Sequence, residues 1–456
     1  MHSVNMHFDD ISDPRFKKVC EEILIRMDQL HVPGVSIGIL CDGQKFTAGL
    51  GVTNVDHPLP VTSRTLFEIG STGKTYTAVA VMRLVEQGKI DLDAPLKTYL
   101  PDLKFTDPEV TEHATMRHLL THTGGFLGDH FIDCGNGDDV FSRYAATLAD
   151  VPQLTPLGEV FSYCNSGFIL AGRVIEAVTG KVYEAAMQEL VLDPLGLKRS
   201  YYLPQDMMNF PFASGHNNDP VTMNAEVFNP WPVPRFAAPA GGLMNDVHDQ
   251  LKYAEFLMGD GKAADGTQVL SPELLKQMHT PQHEAGGGLG EWMGLSLMLA
   301  DVDGERVVFH GGSINGQQSD FRYVPSRKFA LALDTNANIG VFLHMQMAPI
   351  ILETFLGIKT PEYNYITLPA EKLAEYAGTY TKPGGSGFVI SVDEESRLVV
   401  KSIDPEDPDI YKLSFYAPDK AAMVEGPILG MRSDFIRRAD GSIGWYRDSG
   451  RISERQ

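Results

Sequence analysis

The sequence is short of positive charge, with 38 lysines and arginines against 59 aspartates and glutamates, and its net charge is −21 over 456 residues. A chain this acidic repels phosphate backbones and anionic lipid headgroups, so we expect neither a nucleic acid nor a membrane surface as a partner. It also lacks any run approaching about 18 uninterrupted apolar residues, which excludes a hydrophobic membrane-spanning helix. Because residues 1–10 lack the basic and then apolar pattern of a secretory leader, we expect a cytoplasmic protein.

Cysteine is equally scarce. The four cysteines are scattered and form no CxxC pair: Cys20, Cys41, Cys134 and Cys164. This spacing fits neither a disulfide framework nor a metal site, so it predicts reduced, mostly buried thiols. We expect no metal ion and no cofactor. With 43% hydrophobic residues, the chain is long enough for two or three domains with cores of their own.

The order of helical and strand patterns predicts an α+β fold. An amphipathic helix capped by Asp13 comes first, and two strands follow at 35–40 and 46–52. The pattern is then mostly helical from 67 to 259. Strand patterns return at 306–309, 320–324 and 329–334, and an apolar helix follows at 341–356. The simplest arrangement is an antiparallel sheet formed by both ends of this unit, flanked by helices, with a helical subdomain inserted between them.

After the apolar helix, the sequence pattern changes first to a proline-containing stretch and then to short strands, which indicates three regions. Residues 1–358 form the predicted catalytic domain. Residues 359–370, punctuated by two prolines, form a linker. In residues 371–456, six or more short strands are separated by glycine-containing turns. That density of strands predicts a small all-β antiparallel barrel.

The most informative motif is Ser71-Thr-Gly-Lys74, which lies where a strand pattern passes into a helix. Residues three apart share one face of a helix, so the lysine amine can lie beside the serine oxygen and act as its base. Chance occurrence of two common residues at this spacing is the alternative. Gly73-Lys74-Thr75 also resembles the end of a phosphate-binding P-loop. That motif requires a glycine where Glu68 stands, so we exclude nucleotide binding.

Two further stretches carry candidate residues. Tyr163 and Asn165 are two apart and project to the same side of an extended segment, where a phenol can move a proton and an amide can bind a carbonyl. Their alternative roles are core packing for Tyr163 and helix N-capping for Asn165. An apolar strand runs into His310, and Gly312 and Ser313 follow. Glycine at this place allows a substrate backbone to lie close to the strand edge. The alternative is that His310 is a turn histidine with no functional role.

Three other residues carry weaker signals. His118 and His122 are four apart, as in a zinc pair on a helix, but no glutamate occupies the HExxH position and two glycines follow at once. Structural packing is therefore favoured for both histidines. Trp231 lies in a proline-rich stretch, and either a loop over the cleft or the core can accommodate it.

The three motifs, in this order, resemble those of the penicillin-recognising serine hydrolases, which include class C β-lactamases, D,D-carboxypeptidases, S12-type D-aminopeptidases and related esterases. Segments 115–126, 193–197 and 239–244 match as well, and the similarity spans about residues 15–356. The resemblance implies a helix-flanked antiparallel sheet with a helical subdomain and the active site between them. Residues 376–380 resemble the start of the lipocalin-like barrel appended to some of these peptidases, where it shapes the cleft or mediates assembly.

The resemblance also implies a role for each motif residue. Ser71 would be the nucleophile, Lys74 its general base and Tyr163 the group that passes protons to the leaving group. Asn165 would hold Lys74 and the substrate amide. The backbone N–H groups of Ser71 and Ser313 would form the oxyanion hole, and the reaction would pass through an acyl-enzyme.

One departure from the family pattern bears on the substrate. β-Lactamases usually carry a lysine where this chain has His310, and a histidine is mostly uncharged at neutral pH. This favours a peptidase or amidase that acts on amide bonds of short peptides, with D-residues or unusual linkages among its candidate substrates. An esterase acting on short acyl esters is the runner-up. A β-lactamase and an inactive binding protein of the same fold are further alternatives, and a homo-oligomer is left open.

Overall fold

The computed structural model describes residues 6–8, 12–219, 221–229, 233–404, 410–425 and 429–456. Its strands, β1 to β21, are Met6–Phe8, Gly34–Cys41, Gln44–Gly51, Phe67–Glu68, His216–Asn218, Ala225–Val227, Met244–Asn245, His283–Glu284, Trp292–Met293, Met298–Val302, Glu305–Ile314, Gln317–Val324, Phe329–Thr335, Gly378–Thr381, Gly387–Val392, Leu398–Ser402, Ile410–Ala417, Lys420–Met423, Arg432–Arg437, Ile443–Asp448 and Arg451–Arg455. Its α-helices, α1 to α14, are Pro14–Leu30, Gly73–Glu86, Pro108–His113, Met116–Leu120, Val140–Thr147, Asn165–Thr179, Tyr183–Met187, Asp193–Leu195, Pro204–Met207, Ala238–Gly241, Val247–Met258, Pro272–His279, Gly340–Leu356 and Ala370–Ala374. Within these ranges, no helix is both long and apolar enough to cross a bilayer.

The first helix forms as its sequence predicts. The Asp13 carboxylate accepts a hydrogen bond from the Arg15 N–H at 2.7 Å, and Pro14 occupies the first helical position, where a missing N–H costs nothing. The buried face of α1 repeats every three or four residues: Phe16, Val19, Cys20, Ile23 and Met27. This face packs with α13 against the central sheet and closes one of the two large apolar cores of the domain.

The central sheet has nine antiparallel strands in the order β1-β3-β2-β13-β12-β11-β10-β9-β8. Strands from both ends of the first domain therefore meet in its middle, as the sequence predicts. Helices α1 and α13 cover one face, and α11 lies on the other, where a Cβ on Gly38 of β2 would come within 3.1 Å of Val247 and Leu251. The helical insertion between β3 and β8 contains α2, α4 and α6, which build the candidate site.

The C-terminal strands β14 to β21 form a closed barrel in which each strand pairs with the next one along the chain. The sequence predicts six or more strands, and the described residues of this region form eight. Side chains fill the interior, and they include the buried aromatic residues Tyr380, Phe415, Phe435 and Tyr446. The predicted α+β fold with a small all-β barrel is therefore confirmed.

A buried ion pair attaches the barrel to the larger domain. The Arg447 guanidinium of β20 binds both carboxylate oxygens of Asp434, and it also donates to the carbonyl oxygens of Phe161 at 2.9 Å and Ala285 at 3.2 Å. Asp434 in turn accepts from the Gly287 N–H at 2.8 Å. Both side chains of the pair are about nine-tenths buried. Because little water reaches either charge, each is stabilised by the opposite charge of its partner.

This pair generates a prediction about domain docking. Replacing Arg447 by methionine leaves the Asp434 carboxylate buried without its counter-charge, so we expect a loss of about 3 kcal/mol in the free energy of unfolding. Urea unfolding followed by circular dichroism measures it. As a control, Arg438→Met removes the exposed Arg438–Glu454 pair of the same barrel and should cost under about 1 kcal/mol. Equal losses in the two variants would contradict the assigned role of Arg447.

Candidate active site

Ser71 lies on a single tight turn that joins a short strand to a helix. Strand β4 ends at Glu68, residues Gly70–Thr72 form one 3-10 turn, and α2 begins at Gly73. The Thr72 hydroxyl bonds to the Ser319 hydroxyl at 2.8 Å and to the carbonyl oxygen of His310 at 3.1 Å. These contacts fix the turn against strands β11 and β12, and with it the position of the serine oxygen.

Lys74 lies one helical turn further along, where the i to i+3 spacing predicts it. Its Nζ is 3.0 Å from Oγ of Ser71 and donates to the carbonyl oxygen of Ala240 at 2.5 Å. The side chain is completely buried. Burial, aided by the positive charge of Arg451, lowers the pKa of Lys74 well below its ordinary value. A neutral amine beside a hydroxyl can accept its proton.

Tyr163 packs over the same amine, in the segment just before α6. Its ring centroid is 5.0 Å from Nζ of Lys74, and the ring stacks on His122 at 4.4 Å. The phenol oxygen is buried and forms no hydrogen bond with the described residues. Burial raises the pKa of Tyr163 well above 10, and the neighbouring Ser71 hydroxyl and Arg451 guanidinium oppose the shift. The phenol is therefore protonated at neutral pH and free to bind a reacting group.

Asn165 is the first residue of α6, but its partner differs from the one implied by the resemblance. Its amide donates to a carboxylate oxygen of Asp129 at 2.6 Å, and among the described hydrogen bonds none joins it to Lys74. Asn165 is not the N-cap either: Cys164 takes that position, and its Sγ accepts from the Gly167 N–H at 3.2 Å. Burial raises the pKa of the Cys164 thiol to about 12, so it remains protonated.

His310 is buried behind the site, on β11. Its Nδ1–H donates to the carbonyl oxygen of Gly311 at 2.7 Å, which leaves Nε2 as a buried acceptor without a partner among the described residues. Burial and the nearby Lys74 lower the pKa of His310 to about 3. Its ring centroid lies 6.1 Å from that of Tyr163, and among the described hydrogen bonds none joins the two side chains. The histidine is uncharged at neutral pH.

Gly312 and Ser313 pack directly against the turn that carries the serine. A Cβ on Gly312 would lie 1.9 Å from the carbonyl oxygen of Ile69, and a Cβ on Gly70 would lie 2.8 Å from the Ser313 nitrogen. Only glycine at both positions allows this approach. Strand β10 begins at Met298, opposite Phe309, so none of the described strands pairs with the following residues of β11 on that side. Gly311 to Ile314 therefore form a free edge that lines the cleft.

A cavity of about 1220 Å³ extends from Ser71 between the two domains. Near the serine its walls are polar, with Asp129, Tyr163 and Asn165. Further out they are mostly apolar and come from strands β10 and β11, helix α13 and the barrel: Met298, Val307, Phe309, Met345, Leu352 and Met431. The cavity can therefore take a polar reacting group attached to an apolar body.

Sequence reasoning missed two residues of this site, Asp129 and Arg451. Arg451, on the last barrel strand, donates to Asp129 at 2.6 Å, and its guanidinium carbon lies 4.9 Å from the Tyr163 ring centroid. His122 packs structurally, as the sequence predicts: its ring stacks on Tyr163, and its Nδ1 accepts from the Cys164 N–H at 2.9 Å. No spacing signal links these residues, since their partners are distant in sequence and the contacts depend on how the domains dock.

The remaining candidate residues from the sequence either have a structural role or lie outside the described residues. His118 belongs to a capping box with Thr115 at the start of α4, which explains its position. No group of three or more histidine, cysteine, aspartate or glutamate side chains that could hold a metal ion occurs in the described part of the chain. Trp231 lies outside the described residues. All four cysteines are buried and free, as predicted.

The close approach at Gly312 generates a prediction. Gly312→Ala places a methyl group on the Ile69 carbonyl, so β11 must move away from Ser71. We expect labelling of Ser71 by a fluorophosphonate to slow at least about 100-fold, as for loss of one oxyanion donor, with a lower thermal midpoint. Gly311→Ala, whose Cβ meets nothing closer than 3.5 Å, should keep the thermal midpoint. Unchanged labelling in Gly312→Ala would contradict this account of the site.

Comparison with known proteins places this geometry in context. Penicillin-binding protein 4 of Amycolatopsis lactamdurans is 34% identical over 367 residues, which cover 78% of this chain and 95% of that protein. A β-lactamase of Providencia stuartii is 32% identical over 257 residues, covering 56% of this chain and 62% of that protein. The unguisins hydrolase ungD′ of Aspergillus campestris is 26% identical over 350 residues, which cover 72% of this chain and 63% of that protein.

Two solved structures are similar to this chain over nearly its whole length. The structure of SurE is 28% identical, with a TM-score of 0.78, and covers 97% of this chain and 99% of that chain. The octameric penicillin-binding protein homologue of Pyrococcus abyssi is 26% identical, with a TM-score of 0.67 and coverages of 96% and 99%. Residues 23–354, most of the chain, match the family described as Beta-lactamase. The protein therefore belongs to the β-lactamase and penicillin-binding-protein family of serine hydrolase fold.

Proposed function

We propose that this protein is a serine hydrolase that cleaves amide bonds of short peptides through an acyl-enzyme. The observation that carries the proposal is the 3.0 Å contact between Ser71 Oγ and the buried Lys74 amine, whose pKa is lowered. A serine hydroxyl needs a base to become a nucleophile, and this amine is both adjacent and poised to accept a proton.

The steps follow from the groups around the serine. Lys74 accepts the Ser71 proton as Oγ attacks the substrate carbonyl, and the N–H groups of Ser71 and Ser313 stabilise the oxyanion. The C–N bond then breaks, and the proton passes from Lys74 through the unpartnered Tyr163 hydroxyl to the departing amine. In the second half of the reaction, the Lys74 amine removes a proton from water as the water oxygen attacks the acyl carbonyl. The C–O bond to Ser71 Oγ then breaks, the acid leaves, and Lys74 returns the proton to Oγ. Asn165 would bind the substrate amide.

Several observations support a peptide-like substrate. The free edge of β11 beside the cleft can pair with an extended backbone. SurE, a neighbour over almost the whole chain, has been solved with D-Leu, which favours D-residues among the candidate substrates. Because His310 is uncharged, it cannot supply the cation expected for a β-lactam carboxylate, and this weighs against antibiotic hydrolysis. Self-assembly is a further proposal, supported by the octameric state of the Pyrococcus abyssi homologue. Cytoplasmic location remains a prediction from the sequence.

Replacing the nucleophile tests the mechanism. Ser71→Ala should lower turnover by about 10³- to 10⁶-fold, because the nucleophile and its base act as a unit. Circular dichroism and the thermal midpoint should be nearly unchanged, since Ser71 has few packing contacts to lose. Initial rates and fluorophosphonate labelling measure the effect. A variant that retains most of its turnover would refute the assignment of Ser71.

A substrate panel separates amide from ester hydrolysis. We expect turnover of D-aminoacyl p-nitroanilides to exceed that of the matched L-compounds, and nitrocefin to be hydrolysed poorly. Ester turnover alone, measured with p-nitrophenyl butyrate, would favour the esterase over the amidase. If Ser71 resists fluorophosphonate labelling in the wild-type protein, an inactive binding protein of this fold becomes the better explanation.

A further inference from the structure

The barrel reaches into the catalytic domain through one hairpin. Strands β20 and β21 are joined by a turn at Ser449 and Gly450, and the Gly450 carbonyl accepts a hydrogen bond from the Tyr163 N–H at 2.8 Å. A Cβ on Gly450 would lie 2.1 Å from Leu289, so the turn is packed tightly between Tyr163 and the β8–β9 region. Arg451, the next residue, therefore emerges at a fixed place beside the site.

Arg451 forms an ion pair across the domain boundary. Its Nε donates to one oxygen of Asp129 at 2.6 Å, and its Nη1 donates to the Ser449 carbonyl at 3.0 Å. The other oxygen of Asp129 accepts the Asn165 amide at 2.6 Å. The guanidinium also lies over the Tyr163 ring. One arginine from the barrel thus contacts, directly or through Asp129, two of the residues assigned to the chemistry.

We propose that the Asp129–Arg451 ion pair is a positioning element of the active site, which orients Asn165 and Tyr163 and balances the charge that faces Lys74. This inference rests on the proposed function, because it assigns a role in the activation of Ser71. It makes the barrel part of the catalytic machinery.

The groups around Lys74 show why this balance matters. Tyr163 and Cys164 face the amine from the segment before α6, His122 from the segment after α4, and His310 from β11. Burial keeps all four uncharged at neutral pH: it raises the pKa of the phenol and the thiol and lowers the pKa of both histidines. Among the described residues that act on Lys74, only Asp129 and Arg451 carry charge.

Removing either member of the pair therefore leaves one net charge, with opposite signs in the two cases. The Asp129 carboxylate alone stabilises an ammonium, so it raises the pKa of Lys74. The Arg451 guanidinium alone disfavours an ammonium, so it lowers the pKa of Lys74. Ser71 is activated by the neutral amine, and its reactivity is lost as the pH falls through the pKa of Lys74. The acidic limb of the pH profile reports that pKa.

The experiment measures the second-order rate of Ser71 labelling by a fluorophosphonate between pH 5 and 10, on the full chain. In Arg451→Met the acidic limb should move to higher pH by about one unit, and in Asp129→Asn to lower pH by about one unit. The double variant should return the limb close to its wild-type position, although labelling stays slower because Asn165 and Tyr163 lose their support. Arg451→Lys should return the acidic limb to its wild-type position without restoring the full labelling rate. Lysine keeps the positive charge but lacks the planar guanidinium, which holds its hydrogen-bond donors in a fixed geometry.

Controls separate this outcome from misfolding and from failure of the proposed function. Arg438→Met, which removes an exposed ion pair of the same barrel, should leave the profile unchanged. Thermal midpoints show whether each variant is folded. If both single variants lose rate without moving the limb, or move it in the same direction, the inference is overturned while Ser71 remains the nucleophile. If the wild-type serine is not labelled at all, the proposed function itself fails.

Discussion

A lysine amine enclosed completely in protein and held against a serine hydroxyl is the constraint on which the rest of this structure depends. An ammonium in such surroundings is costly to desolvate, so burial favours the neutral form of the amine, which the proposed mechanism requires. The contact with the Ala240 carbonyl gives the amine a hydrogen-bond acceptor without adding a full charge. Helices α2, α6 and α10 must therefore pack closely enough to exclude water while they leave the serine oxygen open to the cleft.

The second requirement is a short distance between two backbones. The serine turn and strand β11 approach so closely at Gly70 and Gly312 that neither position has room for a side chain. Hydrogen bonds from Thr72 and Ser319 hold the turn in place. The positions of the two N–H groups that we propose as oxyanion donors, those of Ser71 and Ser313, are therefore set by main-chain geometry.

The sequence was informative where chemistry depends on local spacing. The contact between Ser71 and Lys74 depends on a spacing of three residues at the start of a helix, and the strands depend on alternating hydrophobic patterns. Both could therefore be predicted from the sequence. The partner of Asn165 could not, because Asp129 lies 36 residues away in a loop without periodicity. Arg451 lies 322 residues from Asp129, and one arginine among 38 basic residues carries no signal of its own. The burial of His310 likewise depends on the neighbouring strands and on Tyr163.

The length of chain between Asp129 and Arg451 has a consequence for biosynthesis. Domains generally begin to fold from the N-terminus as the ribosome adds residues. On the nascent polypeptide, the Ser71–Lys74 contact and the central sheet can form once α13 has emerged, but the guanidinium joins them only after Arg451 has been translated and the barrel has closed. During synthesis the wall of the cleft that contains Arg451 is therefore added after the rest of the cleft has been translated.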